Sequence, residues 1–259
     1  MEVLERHGAL KEKIRTGQPT LGIFVKTPAA STVELLGIAG LDFVALDAEH
    51  APFGVESLDR CLLAAHAAGI PALVRLADAA PSTILRVLDM GAAGIIVPHI
   101  KSAKDATGVV SAARYSGGIR GFSGSHRAAG YGAIAPEIFR TKSDSMTIVI
   151  GQVEERQGVE NICEISAVSD LDAIFIGPAD LSASYGVTNW NHPLVEDAVN
   201  HICASCRKAG RSVGIFLATA EGVASNLSRG VSLFIISTDQ ALLLKGTRAV
   251  SEEFAALRK

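Results

Sequence analysis

FVALDAEH, residues 43–50, is a short apolar run that breaks abruptly into two acids and a histidine. An uninterrupted apolar run of this length is the mark of a strand buried on both faces. Such a strand has little structural reason to deliver Asp47, Glu49 and His50 at its end. Working outward, the same rhythm recurs. Leu21–Val25, Phe43–Leu46, Ala72–Val74, Gly94–Val97, Thr147–Val153, Ala173–Ile176, Val213–Phe216 and Leu233–Ile236 read as eight short strands.

Helical spacing fills the gaps between them. Met1 to about Gly17 reads as an amphipathic helix, and Ser31 is expected to cap the next, which Gly40 ends. Val55–Ala68 is closed by Gly69, Pro81 opens another helix, and about Ala103–Tyr115 follows. Val159–Val168, His192-Pro193 to Ala209, Glu221–Ser228 and Ala241–Leu257 complete the set. Eight strands alternating with helices in 259 residues predict one α/β domain over 1–259, a single (β/α)8 TIM barrel with an N-terminal helix. A doubly wound open sheet is disfavoured, because no G-x-G-x-x-G follows the first strand. Ser116–Asp144, which contains GGIRGFSGSHRAAGYG, reads as a long loop between helix 4 and strand 5. Loops of that length usually hold function or a subunit contact.

Composition narrows the function classes. The chain is 48% hydrophobic and 20% charged, enough for a large core. Its net charge of −3 offers no general attraction to nucleic acid or an anionic membrane. No apolar run approaches a membrane span, and the charged N-terminus lacks the apolar stretch of a signal peptide. Four irregularly spaced cysteines fit a reducing compartment, so a cytoplasmic protein is expected.

Barrel chemistry sits at the C-terminal ends of the strands. Strand two ends on Asp47, Glu49 and His50, strand three on Arg75, and His99 follows strand four. Strand five ends on Gln152 and Glu154, and Asp180 follows strand six. Carboxylates from two neighbouring strands suit a hard divalent cation, Mg²⁺ or Mn²⁺, against the blander reading of solvated loop acids. Arg75 offers a planar fork to a carboxylate or oxyanion, unless it is an ordinary ion-pair partner. Asp47, three residues before His50, suits an acid that holds a histidine base in one tautomer. Blander readings go to Cys203 and Cys206, a C-x-x-C pair inside a helix, and to Lys26, a solvated rim lysine. The sequon at Asn226 and the helix-entry residue His192 are likewise read as structural.

The segments LDFVALDAEHAP, PALVRL, VLDMGAAGIIVPHI, IRGFSGSHRAAGYG, QVEERQGVEN and DAIFIGPADLS, from about Gly22 to Phe254, together resemble the HpcH/HpaI family of class II, pyruvate-dependent aldolases. The resemblance implies reversible cleavage of a 4-hydroxy-2-oxo acid to pyruvate and an aldehyde through a metal-stabilised pyruvate enolate. It implies that Glu154 and Asp180 ligate Mg²⁺, Mn²⁺ or Co²⁺, and that Arg75 and Gln152 hold pyruvate. The turn at Ala179 and Asp180 would receive the pyruvate carboxylate, and His50 paired with Asp47 would be the base. Asp89 would act near a neighbouring subunit's site in a homo-hexamer. Ser125-His126-Arg127-Ala128 looks more like the branch that cleaves sugar acids.

The sequence departs from the family pattern at Tyr115-Ser116-Gly117-Gly118, at Ile236-Ser237-Thr238-Asp239, at Phe24 and at His99. These positions bear on the aldehyde or the subunit partner, and Glu49 has no assigned role. Two rival readings are an acyl-CoA lyase of the citrate lyase β-chain type and a non-catalytic oxo-acid-binding barrel.

Overall fold

In the computed structural model, which describes residues 2–258, eight parallel strands close into a barrel in chain order. They are β1 (Thr20–Val25), β2 (Phe43–Asp47), β3 (Ala72–Arg75), β4 (Gly94–Val97), β5 (Ile148–Val153), β6 (Ala173–Ile176), β7 (Ser212–Leu217) and β8 (Val231–Thr238). Each lies within two residues of its sequence reading, because a fully buried strand leaves an unbroken apolar run. Alternate side chains divide the core into two layers. Phe43, Ala45, Leu73, Ile96, Ile150, Phe175 and Leu233 fill the barrel. Val44, Leu46, Val74, Ile95, Val149 and Ile174 face the helices. Gly22 on β1 gives way to this filling: a Cβ there would stand 2.4 Å from the Phe43 ring.

The N-terminal helix, Glu2–Arg15, closes one end of the barrel, with Leu10 and Ile14 packed into the interior layer. The reading that begins this helix at Met1 falls outside the described residues. Lys11 on the same helix donates to the Thr147 carbonyl at 2.8 Å and lies 3.5 Å from Asp172 Oδ1. At the other end the strands stop on Asp47, Arg75 and, one residue past β5, Glu154. The register of β2 and β3 sets Asp47 opposite Arg75.

Four local expectations are corrected. The helix Ala30–Ile38 starts one residue early and has no side-chain cap, so Ser31 is not its cap. Residues 116–144 are only partly loop, since a 3-10 turn covers Arg127–Gly132 and a helix covers Pro136–Met146. Phe139 is that helix's one large buried side chain, packed with Tyr115, Phe122 and His126, and a single anchor leaves little periodic signal. The helix expected over Val159–Val168 is two pieces, Arg156–Glu160 and Ile162–Ser166, broken at Asn161, whose amide donates to the Lys101 carbonyl. The residues after β6 form a short helix, Pro178–Ser184.

The bland readings of Cys203 and Cys206 agree with the structure. Both are buried in the helix Pro193–Lys208, and burial pushes their thiols up to about 11 and about 12. His192 caps that helix by accepting the Leu194 N–H at 3.2 Å. The last helix, Asp239–Ala256, is different from the rest. Asp239 is its buried residue, while Leu243 is 73% and Val250 67% exposed. No helix of the described residues is long and apolar enough to cross a membrane.

His7 carries a pH-dependent part of the stability. Burial, with His66 adding, lowers it from 6.5 to about 4. Above pH 6.5 the ring is neutral in both states; below it the unfolded chain takes up a proton that the folded chain refuses until about pH 4. Stability therefore falls as pH falls across that window, by about 3 kcal/mol from this group. Urea unfolding of His7→Leu between those limits is expected to give a shallower loss than the native chain, and an unchanged slope would contradict it.

Candidate functional site

The rim is organised around Asp47, whose side chain is fully buried at the end of β2. Arg75 donates to it twice, Nε to Oδ1 at 3.0 Å and Nη2 to Oδ2 at 2.8 Å. The backbone N–H groups of Glu49 and His50 donate to Oδ1 at 3.3 and 3.1 Å, and Lys26 Nζ lies 3.4 Å from Oδ2. Burial works to raise this carboxyl, but Arg75, the His50 N–H and Lys26 outweigh it and hold it below the usual range. Lys26 is thus a partner of Asp47 and not merely a solvated rim lysine. The Arg75 guanidinium also lies 4.4 Å over the Phe24 ring.

This arrangement corrects one expected pairing. Asp47 fixes the backbone of His50, not its imidazole. The ring lies beside Glu49 instead, with Nε2 3.6 Å from Glu49 Oε2. Glu49, which sequence reasoning left without a role, lies between three bases. Its Oε2 is 3.3 Å from Arg75 Nε, and its Oε1 is 3.5 Å from His99 Nε2.

Glu154 is the second buried carboxylate, 1% exposed. Gln152 Nε2 donates to its Oε2, and the His99 N–H donates to its Oε1 at 2.9 Å. Burial raises Glu154 above the usual carboxylate range; those two hydrogen bonds oppose the rise, and Asp180 and Glu49 add to it. Gly177 leaves room for this carboxylate: a Cβ there would stand 3.0 Å from Glu154 Oε2. Asp180 is half-buried in the first turn of Pro178–Ser184, and Ala179 beside it is exposed.

His99, expected on the rim after strand four and as a departure from the family pattern, has no role assigned by the sequence. Its ring Nδ1 lies 3.2 Å from Glu154 Oε1 and 3.0 Å from Glu155 Oε1. Its φ of 58° is in the left-handed region, uncommon for a residue with a side chain. Nothing in the residue order announces that turn; the usable signal was its place just after β4.

Asp89 and the Ser125–Ala128 turn form a separate group. Asp89 ends the helix Pro81–Asp89, takes a 2.8 Å bond from Arg120 Nη2, and lies 3.5 Å from His126 Nε2. Arg127 goes to Asp59, donating at 2.6 and 2.9 Å.

The residues present fit a divalent cation. One donor atom each from Glu49, His99 and Glu154 lie within 4.8 Å of one another. Among the described residues, Glu49 Oε2 and the fully buried Gln152 Oε1 have no hydrogen-bond partner. A buried, raised carboxylate among other acids, beside unused oxygen acceptors, is a donor set that a small cation would neutralise.

Comparison with known proteins shows the family. The pattern described as HpcH/HpaI aldolase/citrate lyase matches residues 20–245. A 5-keto-4-deoxy-D-glucarate aldolase of Klebsiella pneumoniae subsp. pneumoniae is 32% identical over 94% of this chain and 95% of its own length. The crystal structure of an HpcH/HpaI aldolase/citrate lyase family protein from Burkholderia cenocepacia J2315 superposes with a TM-score of 0.91 at 32% identity, covering 96% of this chain and 99% of that one. The structure of the citrate synthase SbnG superposes at 0.85 with 30% identity, over 95% and 98% of the two chains. The chain belongs to the HpcH/HpaI aldolase/citrate lyase family and is a carbon–carbon lyase.

Proposed function

We propose that this protein cleaves a 4-hydroxy-2-oxo acid reversibly to pyruvate and an aldehyde, with Glu154 and Asp180 holding a divalent cation, Mg²⁺, Mn²⁺ or Co²⁺. The observation that carries this reading is the unequal treatment of two buried carboxylates. Asp47 is neutralised by Arg75 and Lys26, while Glu154 has an amide, a backbone N–H, the His99 ring and other acids for neighbours. When bound there, the cation supplies Lewis-acid stabilisation of negative charge on the 2-oxo acid.

The protein's own groups do the rest. Arg75 has five N–H donors, and Asp47 takes two, which leaves three for the substrate's carboxylate or developing oxyanion. Gln152 keeps a free Oε1 beside Glu154 and completes the cradle for the oxo acid with the turn at Ala179 and Asp180. His50 stands half-exposed at the mouth, where it takes the proton from the C4 hydroxyl. As the C3–C4 bond breaks, its electron pair passes into the enolate of pyruvate and the C4 oxygen becomes the aldehyde. The proton on His50 then returns to C3.

The relatives favour 5-keto-4-deoxy-D-glucarate as the first acid to try. The acyl-CoA lyase alternative is separated by offering malyl-CoA. A cytoplasmic setting is supported by four free cysteines. A homo-hexamer is supported by the uncovered apolar side chains of Asp239–Ala256 together with Leu35 and Ile38 of Ala30–Ile38. In that assembly Asp89, steered by Arg120 and His126, serves the neighbouring subunit's site.

Three outcomes test this reading. Exhaustive chelation is expected to abolish pyruvate release, and Mg²⁺ or Mn²⁺ to restore it; activity that survives chelation, or a borohydride-trapped lysine adduct, would sink the proposal. His50→Ala is expected to slow deuterium exchange at pyruvate C3 by about 10²- to 10⁴-fold; an unchanged rate would assign the base elsewhere. Light scattering of Leu243→Glu combined with Val250→Glu is expected to report a smaller assembly than the native chain, and an unchanged mass would remove this helix from the interface.

A further inference from the structure

The proposed reaction leaves His99 and Glu49 without a task, yet both sit against Glu154. His99 Nδ1 is 3.2 Å from Glu154 Oε1, and Nε2 is 3.5 Å from Glu49 Oε1. Two ligands on one cation at about 2.1 Å each stand roughly 3 Å apart when at right angles. Only one ring nitrogen can face a given cation: the Nδ1–Glu154 spacing is that of neighbouring ligands, and one donor atom each from Glu49, His99 and Glu154 lie within 4.8 Å of one another, close to the span of a single ion's ligand shell.

The hydrogen bonds point the same way. The His99 N–H is given to Glu154 Oε1, which fixes the backbone from which the ring projects. Glu49 Oε2 lies near Arg75 Nε, but that N–H is already given to Asp47, so this oxygen is buried without a hydrogen bond. Gln152 Oε1, on the fully buried side chain whose Nε2 donates to Glu154, is likewise unused. Buried acceptors are seldom left so unless something else satisfies them.

We propose that His99 is a nitrogen ligand of the cation, with Glu49 as a further carboxylate beside Glu154, which makes this a mixed imidazole–carboxylate site. The inference rests on the metal-dependent reading above. A neutral imidazole adds a donor without adding to the negative charge already gathered around Glu154. It also changes which ion is preferred. Oxygen-only sites suit Mg²⁺, whereas an imidazole favours later first-row ions such as Co²⁺ over Mg²⁺.

The test uses Mn²⁺ and Co²⁺ on the full-length chain. Electron spin echo spectra of the Mn²⁺-loaded protein are expected to contain nitrogen modulation from a bound imidazole, which His99→Asn removes. Asn tolerates the left-handed backbone at this position, and an unchanged unfolding temperature checks that the variant is folded. Calorimetry is expected to give a Co²⁺ affinity more than about tenfold weaker in His99→Asn, with Mg²⁺ affinity changed much less. If Mn²⁺ binds and Glu154→Gln abolishes that binding, but the nitrogen modulation is absent, His99 is not a ligand and the aldolase reading stands. If no divalent ion binds at all, both fall.

Discussion

The rim depends on one buried ion pair. Parallel pairing of β2 and β3 brings Asp47 and Arg75 to the same level, and both are buried. A charge taken out of water is tolerated only when matched and hydrogen-bonded, and removing one partner of such a pair costs about 3–5 kcal/mol. Asp47 meets that condition fully: a two-bond fork from Arg75, two backbone N–H groups from its own turn, and Lys26 just past β1. The same bonds fix the turn that carries Glu49 and His50 and aim the guanidinium into the barrel mouth. One carboxylate thereby positions three other rim residues.

Glu154 is the counterpart, equally buried but left without a cationic side chain. Its nearest polar groups are an amide, a backbone N–H and a ring that is positive only when protonated. A fold that neutralises one buried acid with arginine and surrounds another with acids has divided the work between them. The first acid fixes protein groups in place. The second is suited to an ion from solution, which also explains why Gly177 keeps clear of it.

Much of this was legible in the sequence. The eight strands were, because burial on both faces writes a largely apolar run, with polar residues such as Gln152 falling near the strand ends. The list of rim residues also was, because barrel strands deliver their last side chains to one end. The pairing among them was not. Asp47 and His50 are close in sequence and suggested an acid–histidine pair, but the partner of Asp47 lies 28 residues on, and only the strand register reveals it. The helix Pro136–Met146 was missed because one buried phenylalanine anchors it. The left-handed backbone at His99 was not legible, since even the residue types enriched there adopt it only occasionally.

In the proposed reaction the Asp47–Arg75 pair holds a two-pronged donor at the oxo-acid site. The most direct measurement is calorimetric binding of oxalate, a planar mimic of the pyruvate enolate, to the Mn²⁺-saturated protein and to Arg75→Lys. Lysine keeps the charge and loses the fork. Affinity is expected to be weaker by at least about 10-fold, near 1.4 kcal/mol, in Arg75→Lys. Equal affinity in the two proteins would contradict it.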